Sequence, residues 1–261
     1  MEHRLVAVDM DGTFLDGQGK IPEAFWDLYP RLVRAGITLV PASGRQLATL
    51  QDLFGPLGKD LHFIAENGTV VYAEGKIIST TPMRAHSARA LIDAAYASPT
   101  RMETVVCTPT MAYVDRPDIV DEVAKYYHRV SAVKDLHEAV DDSVIKMAFY
   151  TEADAETVAL PMLHAAAPEE QPAVSGKHWI DVMSPEANKG RALEQLSEAL
   201  GIPLNRTIAF GDYLNDLEML RTAGTAYAMS NAHPRIKEAA DHIAPPNTEA
   251  GVLTVLEGLV D

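Results

Sequence analysis

Two aspartates one residue apart, Asp9 and Asp11, stand where the apolar run Leu5-Val6-Ala7-Val8 breaks off into Met10, Gly12 and Thr13. Along a strand, residues i and i+2 share a face, so the two carboxylates would lie side by side, and like charges that close call for a cation or a shared proton. Taken alone, the stretch also suits a solvated turn in which Asp, Gly and Thr merely satisfy the backbone. With a cation it becomes a Mg²⁺ site in which one carboxylate doubles as a nucleophile. Partners elsewhere in the chain separate the two.

Three further loops carry such partners. Ala42-Ser43-Gly44-Arg45 follows an apolar strand pattern and opens a helical one, which puts Ser43 at a helix N-terminus. Asn188-Lys189-Gly190 opens another helix, and Gly211-Asp212-Tyr213-Leu214-Asn215-Asp216 follows a strand with two carboxylates four residues apart. Each residue has a plain structural use: Ser43 as a cap, Lys189 as a solvated lysine in a first turn, Asn67 as a turn residue, Asp212 and Asp216 as caps. Four loops in this order, each where a strand ends, are hard to obtain from structural needs alone.

The elements that must position these loops follow from periodicity. Strands are expected at 5–9, 37–41, 62–65, 207–210 and 225–229, with a hairpin of 69–72 and 76–80 around Glu74-Gly75. Helices are expected at 22–35, where Pro30 should introduce a kink, and at 46–54, 189–200, to about 223 after Asp216, 234–240 and 249–259. Between them the texture changes: helices at 87–97, 118–127 and 153–166 alternate with strands at 103–108, 111–114, 144–150 and 178–183, the pattern of a separate α+β unit. Repeated strand-then-helix units at both ends argue for a parallel sheet with helices on both faces, an α/β core whose ligands gather at the strands' carboxyl ends.

Composition narrows the function. The 261 residues leave room for a core of one large or two modest domains, and 22 Lys+Arg against 37 Asp+Glu give a net charge of −15, unfavourable for nucleic acid or an anionic membrane. The single cysteine, Cys107 beside Val105 and Val106, excludes an internal disulfide and reads as a buried thiol in a reducing cytoplasm. No signal-like segment precedes Leu5, and no apolar run approaches the roughly 20 residues of a membrane helix. The nine histidines lack zinc-helix spacing, and the acidic stretch 135–142 reads as a solvated face.

The four loops resemble those of the haloacid dehalogenase superfamily of aspartyl phosphotransferases. The aspartate two residues after Asp9 is similar to the superfamily's phosphatase branch. The insert between Ser43 and Lys189, together with the Gly-Asp-x-x-Asn-Asp-x-x-Met pattern ending at Met219, is similar to the Cof-like sugar-phosphatase subfamily. The resemblance implies a Rossmann-like parallel-sheet core, 1–82 and 185–261, interrupted by an α+β cap, 83–184, with hinges near Pro82 and Pro185. It implies Asp9 as nucleophile, Asp11 as general acid and then base, and Ser43 and Lys189 as contacts of the phosphoryl group. Mg²⁺ would be held by the Asp9 carboxylate, the Asp11 main-chain carbonyl and Asp212, with Asp216 acting through ligand waters and Asn215 assisting. Gly44, Arg45, Asn67 and Thr13 are further contacts on this reading. The expected activity is Mg²⁺-dependent hydrolysis of a small phosphorylated metabolite, a sugar phosphate above all, by a monomer or homodimer. The alternatives are a phosphomutase using the same aspartyl-phosphate and a non-catalytic module that binds Mg²⁺ and phosphate.

Overall fold

The computed structural model describes residues 4–100, 102–176 and 178–260. The chain opens with β1 (Arg4–Asp9), α1 (Phe25–Arg34), β2 (Ile37–Ala42), α2 (Leu47–Leu53), β3 (Phe63–Ala65), β4 (Val70–Ala73) and β5 (Lys76–Thr80). It continues through α3 (Ala85–Ala97), β6 (Met102–Cys107), β7 (Ala112–Val114), α4 (Val120–Val123), β8 (Val130–Ala132), β9 (Lys146–Thr151), α5 (Leu160–Ala166), β10 (Gln171–Gly176) and β11 (Trp179–Met183). It closes with α6 (Lys189–Ala199), β12 (Thr207–Gly211), α7 (Leu217–Thr222), β13 (Thr225–Met229), α8 (Pro234–Ala239), β14 (His242–Ala244) and α9 (Gly251–Glu257).

These elements form two compact units. The first takes the residues up to Gly44, Leu50–Ser79 and those from Asn188 onward. Its sheet has the order β14-β13-β12-β1-β2-β3-β4-β5, parallel from β14 to β3, with β4 antiparallel to β3. Helices cover a parallel sheet on both faces, which is why β1 and β12 read as unbroken apolar runs and are buried along almost their whole length. One face is filled by a chain of rings. Phe25 lies 5.2 Å from Phe14 and 5.9 Å from Phe54, and Phe54 lies 5.9 Å from Phe63, mostly edge to face.

The second unit, Arg45–Thr49 with Thr80–Ala187, holds a six-stranded sheet of order β10-β11-β9-β6-β7-β8, antiparallel except for the β7–β8 pair. Its own apolar core is drawn from α3 (Leu91, Ile92), β9 (Met147, Phe149), α5 (Leu163) and β11 (Ile180, Val182). Alternate residues of β9 and β11 supply that core, as a sheet with one face against helices requires.

The elements expected from periodicity differ from these in several places. In the stretch expected to be one helix, 118–127, a 3₁₀ turn (Pro117–Ile119) leads into the single turn of α4. The N–H groups of Tyr126 and Tyr127 both turn back to the Val123 carbonyl, and the aromatic residues that follow are weak helix formers. The expected helix 153–166 is a wide turn (Ala155–Ala159) followed by α5: Asp154 caps the start through the Thr157 N–H, 2.9 Å, and Pro161, lacking an N–H, opens the regular part. The short strands β8, β10 and β14 are additions. β8 and β14 have three residues each and lie at sheet edges, too short for a periodic signal, and β10 is an edge strand containing Pro172. Helix α1 begins at Phe25 rather than Pro22 and carries Pro30 internally; Gly36, at φ 74°, ends it.

Candidate active site

Parallel register brings three of the four loops to one edge of the first unit's sheet; the fourth, Asn188-Lys189-Gly190, follows β11 of the other sheet rather than a strand of this one, and joins them from the start of α6. Asp9 is level with Ala42 of β2, which places Ser43 just beyond it, and Val8 is level with Phe210 of β12, two residues before Asp212. After Asp9 the chain turns tightly through Met10–Phe14, closed by the Leu15 N–H on the Met10 carbonyl at 2.9 Å. Gly12 makes the turn possible. Its φ is 87°, and a Cβ there would run into the Asp212 carboxylate. Thr13 donates its hydroxyl to Asp212 Oδ1 at 3.2 Å, so the turn after β1 and the loop after β12 are bound directly. Asp11, in extended backbone between them, is exposed.

Lys189 is the hub. It opens α6, whose start is capped by Asn188 Oδ1 accepting the Arg191 N–H at 2.8 Å, and its side chain is fully buried. Its Nζ donates to Asp9 Oδ1 at 2.6 Å and to Asp216 Oδ1 at 2.7 Å. Asp216, buried too, uses its other oxygen to accept the N–H groups of Asp212 (3.0 Å) and Tyr213 (3.2 Å), which fixes the loop that carries Asp212. Burial works against the Lys189 charge, yet Asp216 and Asp9 outweigh it and hold the ammonium above its ordinary range. The carboxylates shift against their own ionisation. Burial, then the Asp216 charge, push Asp9 well above the usual carboxylate range despite Lys189, and the same two causes in the same order raise Asp212 to about 6.

Three carboxylates, Asp9, Asp212 and Asp216, each bring one oxygen within 4.8 Å of the others. Among the described residues the Lys189 ammonium bonds two of these carboxylates, so two negative charges remain uncompensated by it when all three ionise. An all-oxygen cluster with a surplus of two negative charges fits a hard divalent cation.

The other candidate residues are held by different contacts. Ser43 is buried, and its N–H donates to the Ile64 carbonyl at 2.9 Å. Gly44 lies against the Asn67 amide, and Asn67 Oδ1 accepts from Asn215 Nδ2 at 3.2 Å. Arg45, half-buried, begins the short segment that groups with the second unit. Three supports of the site lie outside the motifs that the sequence singles out. Asn231 Nδ2 donates to the Gly12 carbonyl at 2.8 Å, the His233 N–H donates to the Asp212 carbonyl at 2.8 Å, and Asn247 Nδ2 donates to the Leu15 carbonyl at 2.8 Å. Their signal in the sequence is slight: Ser230-Asn231 is a polar pair ending a strand, the place where loops toward a sheet's carboxyl edge begin.

A doubly wound sheet with this carboxylate and lysine cluster at its carboxyl edge defines a haloacid dehalogenase-like hydrolase. The sequence profile of that family matches residues 6–256, and the chain belongs to it. Among its relatives, the 5-amino-6-(5-phospho-D-ribitylamino)uracil phosphatase YbjI of Escherichia coli (strain K12) is 33% identical over 262 residues, covering 98% of this chain and 96% of the relative. The HMP-PP phosphatase of Cronobacter sakazakii is 28% identical, covering 92% of this chain and 89% of the relative. A solved structure from Eubacterium rectale matches with a TM-score of 0.87 at 30% identity over 98% of both chains. The fold is shared with a subclass IIB sugar phosphatase at a TM-score of 0.82, 20% identity and coverage of 98% of this chain and 99% of the other.

Proposed function

We propose that the protein is a Mg²⁺-dependent phosphatase that hydrolyses a small phosphorylated metabolite, a sugar phosphate or a related ester of a phosphorylated polyol, through an aspartyl-phosphate on Asp9. The observation that carries the reading is the pair of contacts from Lys189 Nζ to Asp9 and Asp216 inside a cluster two negative charges short of balance. The names of similar proteins support it, since the Escherichia coli and Cronobacter relatives are both called phosphatases.

Asp9 and Asp212, with the main-chain carbonyl of Asp11, would hold the ion. When bound, Mg²⁺ supplies the positive charge that lets an anionic nucleophile meet an anionic phosphoryl group. The chain's own residues do the rest. Lys189 opposes the upward shift of Asp9 and aims its carboxylate through the 2.6 Å bond. The Asp9 carboxylate attacks phosphorus, the bond from phosphorus to the ester oxygen breaks, and Asp11 gives its proton to the departing alkoxide. Asp11, now a carboxylate, takes a proton from a water that attacks the acyl-phosphate. Inorganic phosphate leaves and Asp9 is restored. The Ser43 hydroxyl and the Gly44 region bind phosphoryl oxygens, and Arg45 adds a cation on the substrate side. Asp216 orients Lys189 and the Asp212 loop rather than the reacting atoms.

Cys107 is buried and forms no disulfide, which suits a reducing cytoplasm, and among the described residues no helix is long and apolar enough to cross a membrane. A panel of sugar phosphates, nucleotides and phosphorylated cofactors, assayed for phosphate release with Mg²⁺ and with chelator, tests the proposal. Release that requires Mg²⁺ supports it. Transfer to an acceptor sugar in place of release favours a mutase, and no release above the metal-free blank from any ester favours a binding module.

A further inference from the structure

We propose that Asn67 is a positioning residue: through the turn Glu66-Asn67-Gly68 it braces the Ser43–Gly44 loop, Asn215 and the start of α6 against one another. The proposal rests on the phosphatase reading, but it concerns a residue that needs no contact with substrate. The turn follows β3 with three successive residues at positive φ, Glu66 at 51°, Asn67 at 58° and Gly68 at 94°. Backbone of that kind persists where surrounding contacts over-determine it, and here they come from three loops.

The first contact is to the serine loop. The Asn67 N–H donates to the Ser43 carbonyl at 3.0 Å while the Ser43 N–H donates to the Ile64 carbonyl at 2.9 Å, so both main-chain groups of Ser43 are held by the end of β3 and its turn. The Asn67 amide then lies over Gly44, where a Cβ would stand 3.0 Å from Oδ1 and 3.1 Å from Nδ2, so a side chain at 44 would crowd the amide by a few tenths of an ångström. The second contact is the 3.2 Å bond from Asn215 Nδ2 to Asn67 Oδ1, which reaches the loop of Asp212 and Asp216. The third is steric. Gly68 meets the main-chain carbonyl of Asn188 so closely that no side chain fits, and the next residue, Lys189, sends its ammonium to Asp9 and Asp216. One turn thus touches the supports of the serine, the lysine and the acidic loop, and its amide oxygen accepts from Asn215.

Asn67→Gly tests this cleanly, because glycine keeps the left-handed backbone and the N–H to Ser43 while removing only the amide. The side-chain NH₂ resonances of Asn215, assigned by their loss in Asn215→Ala, should shift in Asn67→Gly; resonances that stay in place overturn the brace. On the phosphate ester turned over fastest by the parent protein, Asn67→Gly should lose about tenfold in kcat with KM within about twofold, as misplacement of otherwise intact groups does. The double variant Asn67→Gly/Asn215→Ala should be no slower than the slower single variant, since both remove one tie. A raised KM at unchanged kcat would mean that the amide binds substrate, and multiplicative losses in the double variant would mean that the two residues act apart; either result overturns the proposal. A parent protein that releases no phosphate from any ester overturns the phosphatase reading instead, while the brace is still decided by the Asn215 resonances.

Discussion

At the scale of single residues the site is an electrostatic compromise. Burial would prefer each group neutral; Asp216 and Asp9 keep Lys189 charged, while burial and the Asp216 charge push Asp9 and Asp212 the other way, leaving a surplus of carboxylate for an ion. Asp11 differs from the rest in being exposed and in offering the ion only its main chain on the proposed reading. Asp11→Asn should therefore abolish turnover while Mg²⁺ still raises the melting temperature as in the parent; loss of the Mg²⁺ effect would contradict its part. Asp212 gives a pH test. A carboxyl group whose pKa is higher in the folded than in the unfolded chain stabilises the fold below the unfolded value and gives that contribution up as pH rises through the folded one. For Asp212, ordinarily 3.8 and here raised to about 6, the window runs between those two values. In the presence of chelator Asp212→Asn should gain on the parent in melting temperature as pH climbs through that window, and Mg²⁺ at neutral pH should restore the parent's lead. A difference that stays flat with pH would show that the neighbours do not strain this carboxylate. The bonds of the site are only partly legible in the sequence. The spacing of Asp9 and Asp11 and the placement of Ser43 and Asp212 at strand ends point to one edge of a sheet, whereas the strand before Lys189 belongs to the other sheet, and nothing local in Asn231, His233 or Asn247 announces its bond, which for Asn231 and Asn247 reaches a loop some two hundred residues away.

At the scale of elements, legibility tracks burial and length. β1, β2, β12 and β13 are apolar runs flanked by turn residues, and they fold where periodicity puts them because a strand buried on both faces has little other use for such a composition. β8 and β14 are three residues long with mostly exposed or half-exposed side chains, so their pairing is decided by neighbours and not by their own residues. The helix expected over 118–127 fails for the complementary reason, that a helical pattern without enough strong helix formers yields to competing turns. Phe54, just beyond α2, is where element packing is most concentrated: it is fully buried and its ring meets Phe14, Phe25 and Phe63. Phe54→Ala should cost roughly 3–5 kcal/mol of stability, the range for removing a buried aromatic ring and leaving a cavity. Chemical denaturation would read this as a lower midpoint at unchanged slope. A loss below about 1 kcal/mol would mean that the ring cluster relaxes to fill the space.

At the scale of the whole chain, the α/β class and the presence of an inserted α+β segment are readable because the middle third changes texture, while the chemistry-bearing loops lie before and after it. The insert has what an independent domain requires. It is continuous from Thr80 to Ala187 apart from the short piece Arg45–Thr49, it completes a six-stranded sheet within itself, and among the described residues its buried apolar cluster, from Met83 to Val182, draws on none outside 83–182. The first unit, by contrast, is assembled from separated stretches, with β1 paired to β12 across some two hundred residues, so its cooperativity depends on long loop closures. A fragment spanning 80–187 should therefore fold alone, with native near-ultraviolet dichroism and a single cooperative thermal transition. Phe149→Ala, which empties its core, should lower that transition in the fragment, whereas Mg²⁺ should leave it where it is because Asp9, Asp212 and Asp216 all lie in the other unit. A fragment that binds hydrophobic dye and melts without a cooperative step would show that the insert's core, complete in its contacts, still needs the doubly wound sheet to hold its two ends.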